Sequence, residues 1–373
     1  MLAKGRRLRI GEDGSLEVID PTCEDIELLC SVDPSFRVRQ QPLPGFERPR
    51  ALATRLQGVG VRREALPQLT VSALWAAHNL GMRQLRTLLC RKDTGNEASL
   101  IDIKIELARR ILKSCDLCAR ECRIDRWNGR RGACGLGVGA TVVEAFTHIA
   151  EEPPINPSLV VSLAGCGLRC RFCQKYELLC PDAVGGRALD ESLWQDLDPF
   201  GARSVSFLGG NPDESLYAVL RCLSGMPEDW RLPVVWNSHA FVPLSTIWLL
   251  DGIVDAYLPD LKYGSDRCGQ RLSGIADYPA TTLRAIGAML EQDVPVIVRL
   301  LVLPGHRDCC HEPALKRLAE LRPVDQLLLS VRGQYAPDWQ ITQADGELAR
   351  RTTKEEVASI REAAQAVNLR LVD

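Results

Sequence analysis

Short apolar runs alternate with helical patterns from residue 158 to the end of this 373-residue chain. Because continuous apolar strands separated by helices are typical of a parallel sheet covered by helices, this pattern predicts six β/α units. Six units are fewer than the eight of a closed barrel, so the expected α/β fold is an open, partial (β/α)6 barrel, with a doubly wound sheet as the alternative. The predicted strands are SLVVSLAG (158–165), SVSFLGG (204–210), PVVWNSH (233–239), VDAYLPDLK (254–262), PVIVRLLVLPG (295–305) and QLLLSVRG (326–333).

Polar and metal-binding residues follow these predicted strands. The carboxyl ends of parallel strands meet at one edge of the sheet, where active sites of such folds lie. A purely structural protein would not be expected to gather such residues there, so this edge is the predicted functional site. In strand order the residues are Cys166, Cys170 and Cys173; Gly209, Gly210, Asn211 and Pro212; Asn237, Ser238 and His239; Asp260 and Lys262; Arg299, Pro304, Gly305 and His306; and Arg332 and Gln334.

Three cysteines directly follow the first predicted strand with the spacing CxxxCxxC, at Cys166, Cys170 and Cys173. Thiolates at this density suit an iron–sulfur cluster. A 4Fe-4S cluster takes four ligands, so three cysteines leave one iron open to an outside ligand, which is the arrangement of a catalytic cluster. The alternative is a stripe of buried cysteines on one helix face, but the glycines at 165 and 167 oppose a helix there.

Four further cysteines lie upstream in CDLCARECRIDRWNGRRGAC, at positions 115, 118, 122 and 134. We call Cys115, Cys118, Cys122 and Cys134 the quartet. Four thiolates complete a closed coordination sphere, so the quartet predicts a second metal centre, either structural zinc or an auxiliary 4Fe-4S cluster. Glycines before Cys134 provide the turns that return it to the other three.

Composition limits the class of protein further. Lys+Arg 46 against Asp+Glu 48 gives a net charge of -2, which excludes nucleic-acid wrapping or polybasic membrane anchoring as the main function. No apolar run reaches the roughly 18 residues of a membrane span, and the N-terminus lacks the apolar core of a signal peptide. We therefore expect a cytoplasmic protein whose 15 cysteines include metal ligands. The eight cysteines outside the two clusters are interpreted mostly as small buried hydrophobes.

Three segments are predicted along the chain. Residues 1–100 form a mostly helical extension of unknown role, with one or two helices over 69–90 in which His78 is interpreted as a packed histidine rather than a ligand. Residues 101–157 combine the quartet with an amphipathic helix, which begins at 100 and ends near 114. Residues 158–373 form the partial barrel, which ends in a helix capped by Thr353.

The cysteine loop, with Phe172 before its last cysteine, resembles that of the radical S-adenosylmethionine superfamily, and the GGNP run at 209–212 resembles its glycine-rich second-strand motif. Over about residues 100–373, the segments CDLCARECRIDRWNGRRGACGLG, EEPPINP, GCGLRCRFCQKYEL, LLDGIVDAYLPDLKYG and VRLLVLPG are similar to the branch named after pyruvate formate-lyase activating enzyme.

The resemblance implies a role for each matched residue. Cys166, Cys170 and Cys173 would hold a 4Fe-4S cluster, and S-adenosylmethionine would bind its open iron through the amino and carboxylate groups. Phe172 would lie near the adenine. The backbone of Gly209, Gly210 and Asn211 would meet the methionyl amino group. Lys262 is a partner for the methionyl carboxylate, with a simple pair to Asp260 as the alternative. The remaining pocket residues would be Asn237, Ser238, Asp260 and Arg299.

The implied activity is reductive cleavage of S-adenosylmethionine to a 5'-deoxyadenosyl radical, which abstracts hydrogen from a substrate. The substrate could be a protein glycyl residue, a peptide or a small metabolite, and the electron donor a flavodoxin or ferredoxin. Three departures from the pattern, Asn211 for an acidic residue, Leu300 for a histidine and the run WNSHAF on the third strand, concern the substrate. The alternative is a non-catalytic iron–sulfur or zinc protein serving electron transfer or assembly.

Overall fold

A computed structural model describes residues 7–10, 16–19, 48–86, 95–321 and 326–372. The N-terminal segment contains helices, as the sequence predicts, but also four short strands that it does not predict. The 69–90 pattern forms one helix, which ends at Arg86, and residues 87–90 lie outside the described part. The elements are β1 (Arg7–Ile10), β2 (Leu16–Ile19), α1 (Arg50–Leu56), β3 (Gly58–Arg62), α2 (Val71–Arg86), β4 (Glu97–Ser99) and α3 (Leu100–Ile111).

All six predicted strands are present in one sheet, to which residues 141–148 and 187–188 each add one more strand. The sheet strands are β5 (Thr141–His148), β6 (Ser158–Leu163), β7 (Arg187–Ala188), β8 (Ser204–Gly209), β9 (Val234–Ser238), β10 (Ala256–Pro259), β11 (Val296–Leu301) and β12 (Leu327–Arg332).

The strand order is β12-β11-β10-β9-β8-β6-β5-β7. The six predicted strands are parallel and follow one another in chain order, while β5 and β7 pair antiparallel at one edge. A doubly wound sheet reverses its strand order near the middle, so the sequential order excludes that alternative. The mixed α/β class is confirmed.

Helices separate the strands much as the sequence predicts, with three differences. The run RFCQKYELL forms only a 3-10 turn at Tyr176–Leu179, because this segment wraps the cysteine loop instead of covering the sheet. Helix α4 and the eight-residue α7 were not predicted. The elements are α4 (Leu193–Asp196), α5 (Leu216–Ser224), α6 (Leu244–Leu250), α7 (Asp266–Ser273), α8 (Tyr278–Leu290), α9 (Glu312–Ala319) and α10 (Lys354–Ala366).

Side chains alternate between two faces along each strand. On β9, Trp236 belongs to the large core beneath the helices, whereas Val235 belongs to a small apolar cluster on the other face. That cluster comprises Ile155, Val235, Ala256, Leu258 and Ile297. Two residues further along three of these strands, the same face carries Asn237, Asp260 and Arg299. The apolar cluster therefore forms a floor beneath the polar strand ends.

Helix α3 joins the N-terminal segment to the sheet domain. Ser99 caps it by accepting from the backbone N–H of Asp102, as a Ser N-cap should. Lys104 on its buried face lies 2.8 Å (Nζ) from His78 Nε2, so His78 is a packed residue, as predicted. The predicted cap Thr353 likewise begins α10. Within the described ranges, no helix is long and apolar enough to cross a membrane.

Candidate functional site

A cavity of about 350 Å3 lies at the carboxyl ends of the parallel strands. It brings together residues from loops far apart in sequence, including most of those that the sequence placed at this edge, whereas Arg332 and His306 do not line it. The predicted residues that line it are Cys166, Cys170, Phe172, Cys173, Gly209, Gly210, Asn211, Asn237, Ser238, Asp260, Lys262 and Arg299.

The cysteine loop begins where β6 ends. Gly165 takes a left-handed conformation (φ +90°), and a side chain there would also collide with Leu136. Cys166 and Cys170 are buried, while Cys173 is half-buried. Burial raises the pKa of the Cys173 thiol to about 11, so its thiolate needs a cation beside it.

The spacing of the three sulfurs excludes a site for one ion. Two sulfurs on one tetrahedral ion stand about 3.8 Å apart, given metal–sulfur bonds of about 2.3 Å. The sulfurs of Cys166, Cys170 and Cys173 do not all lie within 4.8 Å of one another. The three sulfurs therefore do not form one compact group of ligand atoms, although all three cysteines line the same cavity.

The glycines after β8 are required by backbone packing. A Cβ on Gly210 would lie 2.3 Å from the carbonyl oxygen of Gly165, and one on Gly209 would lie 2.3 Å from the backbone nitrogen of Leu163. Gly209 also has φ +111°, which favours glycine. The sequence analysis attributed these glycines to a close approach by a ligand, whereas the contact that demands them is with β6 and the cysteine loop.

A buried charged network behind the cysteine loop was not predicted. Glu214 accepts hydrogen bonds from the Gly167 backbone N–H at 2.6 Å and from the Asn211 side chain. Its carboxylate lies 3.2 Å from His239 Nε2, and the Cys166 sulfur lies within 4.8 Å of both groups. Burial disfavours charge on His239, yet the Glu214 carboxylate raises its pKa well above the ordinary value. His239 Nδ1 accepts the backbone N–H of Phe241 at 3.1 Å, so Nε2 carries the ring proton and donates to Glu214 beside the first cysteine.

Lys262 and Asp260 form an ion pair at the cavity wall. The Lys262 ammonium donates to the Asp260 carboxylate at 2.7 Å, which is the alternative that the sequence analysis left open. Burial opposes the charge, but Asp260 holds the pKa of Lys262 above its usual range. The lysine is therefore a permanent cation in the cavity, and it retains donors for an anionic ligand.

Arg299 lines the cavity but is already paired. Its guanidinium donates to Glu151 at 2.8 Å and to both oxygens of Glu152 at 2.9 and 2.7 Å. Arg332 lies 3.0 Å from the same Glu152. Since Glu152 is fully buried, these pairs tie β11 and β12 to the EEPPINP loop, and the sequence did not predict that partner.

Three other predicted residues take distinct positions. Phe172 is buried and packs edge-on against Tyr263 and Tyr335, with ring centroids 6.2 and 6.0 Å apart. The Ser238 hydroxyl accepts from the backbone N–H of Ala240 at 3.2 Å. The side chain of Asn237 forms no hydrogen bond with any described residue, which leaves its amide free to bind a ligand in the cavity.

The quartet lies outside the cavity and is more enclosed. Cys115, Cys118 and Cys134 are buried and Cys122 is half-buried. No three of its four sulfurs lie within 4.8 Å of one another. Arg126 is 1% exposed, and its Nη1 donates to the Cys115 sulfur at 3.5 Å. No carboxylate among the described residues pairs with this arginine, so the buried cation stands against sulfur.

The quartet segment packs directly behind the cysteine loop. The backbone N–H of Ala119 donates to Phe241 at 2.9 Å, and Thr246 donates to Leu117 at 2.8 Å. Arg120 donates to the Gly167 carbonyl, and the Cys118 sulfur would lie 3.1 Å from a Cβ on Gly167. The two cysteine sites are therefore neighbours, with Glu214 between them.

The interpretation of the scattered cysteines as buried is correct for Cys222, Cys268 and Cys310, which belong to the core, and wrong for Cys309, which is exposed. Cys180 is exposed. Cys268 and Cys309 lie together beside His306, because the loops after β10 and β11 meet at one edge of the sheet. Cys23, Cys30 and Cys90 lie outside the described residues.

Several lining residues were not predicted because they come from β5 and the loop that follows it, outside the six predicted β/α units. Phe146 is 37% exposed and stacks edge-on with His148, 6.0 Å between centroids. Glu144 and Glu151 complete this wall. The alternation in TVVEAFTH was the available signal, since alternate residues of a strand share one face.

Comparisons with known proteins find similar solved structures and a sequence relative. No family model matches the chain. Among solved structures, SuiB of Streptococcus suis bound to S-adenosylmethionine aligns with a TM-score of 0.39 and 15% identity over 55% of this chain and 47% of SuiB. SuiB bound to the precursor peptide SuiA aligns with a TM-score of 0.39 and 13% identity over 80% of this chain and 62% of SuiB. This chain thus spans about half the length of SuiB in the first of these alignments.

The sequence match is much stronger. An uncharacterized protein of Methanocaldococcus jannaschii, MJ0674, is 30% identical over 332 residues, covering 83% of this chain and 92% of the relative. The match is long enough to include both the sheet domain and the quartet segment. The chain belongs to the same family as MJ0674.

Proposed function

We propose that this protein is a radical S-adenosylmethionine enzyme of the branch that resembles pyruvate formate-lyase activating enzyme, built on an open, partial (β/α)6 barrel. The observation that carries the proposal is the cavity in which three cysteines share the space with the GGNP turn, Asn237 and Lys262. The sequential parallel sheet supports the barrel, because all crossover helices then lie on one face.

Several residues that line the cavity would have separate roles in binding the cofactors. Cys166, Cys170 and Cys173 would hold the 4Fe-4S cluster, and Lys262 would donate to the carboxylate of S-adenosylmethionine. The Asn237 amide would bind the same molecule. When bound, the two cofactors supply one-electron cleavage of a carbon–sulfur bond and hydrogen abstraction, which is the chemistry of the cofactors and not of the protein. The buried walls exclude water from this space.

The substrate would enter past β5. Phe146 and His148 offer an apolar surface and a hydrogen-bonding ring at this wall of the cavity. A protein glycyl residue, a peptide or a small metabolite could each be presented there. A low-potential flavodoxin or ferredoxin would supply the electron.

The quartet would hold a second metal centre. Its sulfurs are too dispersed for one tetrahedral ion, so an auxiliary iron–sulfur cluster fits better than zinc. Arg126 offsets the negative charge of such a cluster.

The test is turnover. Protein reconstituted anaerobically with iron and sulfide, then reduced with dithionite, should convert S-adenosylmethionine to 5'-deoxyadenosine and methionine. Reconstituted protein that holds its iron but forms no 5'-deoxyadenosine would instead support the non-catalytic alternative, an electron-transfer or assembly protein.

A further inference from the structure

We propose that Cys268, Cys309 and His306 form a zinc site, separate from the cavity and from the quartet. Their ligand atoms all lie within 4.8 Å of one another. Among the described residues, one other group reaches that spacing, Cys166 with Glu214 and His239. There the carboxylate and the imidazole bind each other, and the carboxylate is also held by the Gly167 N–H.

The sulfur–sulfur distance fits one tetrahedral ion. Cys268 Sγ lies 4.0 Å from Cys309 Sγ. Two zinc–sulfur bonds of about 2.3 Å at the tetrahedral angle place their sulfurs about 3.8 Å apart, whereas a disulfide requires about 2.05 Å. The two sulfurs are thus unbonded and at ligand spacing.

The histidine presents the correct nitrogen. His306 Nδ1 lies 2.7 Å from the Pro304 carbonyl oxygen, which can only accept, so Nδ1 carries the proton and Nε2 keeps its lone pair. A second-shell carbonyl of this kind commonly orients a zinc-binding histidine. Arg271 Nη2 lies 2.7 Å from Nε2, and this exposed side chain can turn to solvent when a metal takes its place.

The three ligands of the proposed site come from two loops, which follow the carboxyl ends of β10 and β11. Cys268 lies in the first turn of α7, and Cys309 lies in the turn at Arg307–His311. The buried Cys310 supports this contact from behind, since its sulfur accepts the Gly264 N–H at 3.1 Å. Three protein ligands leave the fourth position to water.

Helix α7 connects the proposed zinc site to the cysteine loop and to the quartet segment through two hydrogen bonds. Near the end of the helix, the Leu272 carbonyl accepts the Arg171 N–H at 2.8 Å. The next carbonyl, of Ser273, accepts from Arg120 at 2.8 Å. Zinc at the start of α7 would hold the helix that receives both bonds.

The experiment counts zinc and iron per chain by mass spectrometry in anaerobically purified protein. The variants are C309S, which alters an exposed side chain, C268S and H306Q, with C180S as a matched exposed-cysteine control outside the site. We expect wild type and C180S to carry one zinc per chain more than the three site variants. Iron should be equal in all five proteins, which separates this proposal from the iron-dependent one.

Three results would overturn the zinc site. The first is a C309S protein that contains as much zinc as wild type and also melts at the wild-type temperature. The second is a failure of metal-depleted wild type to take up one equivalent of added zinc at this site, judged against C309S. The third is a Cys268–Cys309 disulfide in the anaerobically purified protein, seen by peptide mapping after alkylation.

Discussion

The cysteine loop and the quartet both present cysteine sulfurs, but the loop faces a cavity and the quartet is enclosed by protein. The loop presents three sulfurs to a cavity that also holds Lys262 and Asn237. The quartet supplies four, has a buried arginine against Cys115 and lies outside that cavity. An open coordination position is useful only where a second molecule can reach it. The contrast therefore supports the proposal that the loop carries the chemistry and that the quartet provides support or electron relay.

The largest expected effect is on iron content. Cys170→Ala should remove about four irons per chain while the quartet keeps its metal, because the two sets of ligands do not overlap. Iron and sulfide analysis, with electron paramagnetic resonance of the reduced protein, measures this. Cys122→Ala is the matched change, and it should leave the loop's signal intact. Loss of both signals in either variant would show that the two centres are one unit.

Glu214 stands between the two cysteine sites, and its removal should be the most costly to the fold. Glu214→Gln replaces the buried carboxylate that accepts from the Gly167 N–H, the Asn211 side chain and His239 Nε2, and each buried donor left unsatisfied costs roughly 1–3 kcal/mol. The melting temperature should fall well below that of Glu144→Gln, an exposed control on β5. Equal melting temperatures for the two variants would refute the buried hydrogen-bond network.

Arg126 tests the quartet alone. Arg126→Met removes the buried cation beside Cys115, and loss of an outer partner typically lowers metal affinity by roughly 10–100-fold. Competition with a chelator should strip the quartet at lower chelator concentration, with the loop's cluster unchanged. Arg130→Met, an exposed neighbour, should behave as wild type. A quartet equally resistant in both variants would contradict the proposed charge balance.

The smallest effect concerns Lys104, on the helix that leads into the quartet. Burial lowers the pKa of Lys104 to about 7, below its ordinary value in the unfolded chain. Between these two values the unfolded state binds more protons, so stability should fall as the pH is lowered from about 10 to 7.

Lys104→Met should remove that slope and stabilise the protein at pH 7 by roughly 1–2 kcal/mol. Thermal melts at pH 7 and pH 9.5 measure the difference, with the exposed Lys113→Met as control. The same dependence of stability on pH in all three proteins would show that burial does not lower the pKa of Lys104.

The sequence predicted most accurately the features that depend on local pattern. Apolar β-branched runs located all six parallel strands, since such strands are buried on both faces. The cysteine loop was evident from its spacing. Cys268 and His306 were not linked, because they lie on loops that only the folded sheet brings together.

Partners of charged residues were the other gap. Glu214 follows the GGNP turn and resembles an ordinary acidic residue at a helix start, yet it pairs with His239 from the next strand. Arg299 was predicted in the site, but its partners Glu151 and Glu152 come from a proline-rich loop whose path is set by tertiary contacts. The spacing of apolar residues in a sequence shows which face of a strand or helix a residue occupies. It does not show which distant charged residue pairs with it.

The most direct test of the contrast is the rate of 5'-deoxyadenosine formation in the two cysteine variants. Both proteins are reconstituted anaerobically, reduced and supplied with S-adenosylmethionine under the same conditions as wild type. The account predicts no cleavage by Cys170→Ala and measurable cleavage by Cys122→Ala. Cleavage at the wild-type rate by Cys170→Ala, or its loss only in Cys122→Ala, would contradict the assignment of chemistry to the open loop.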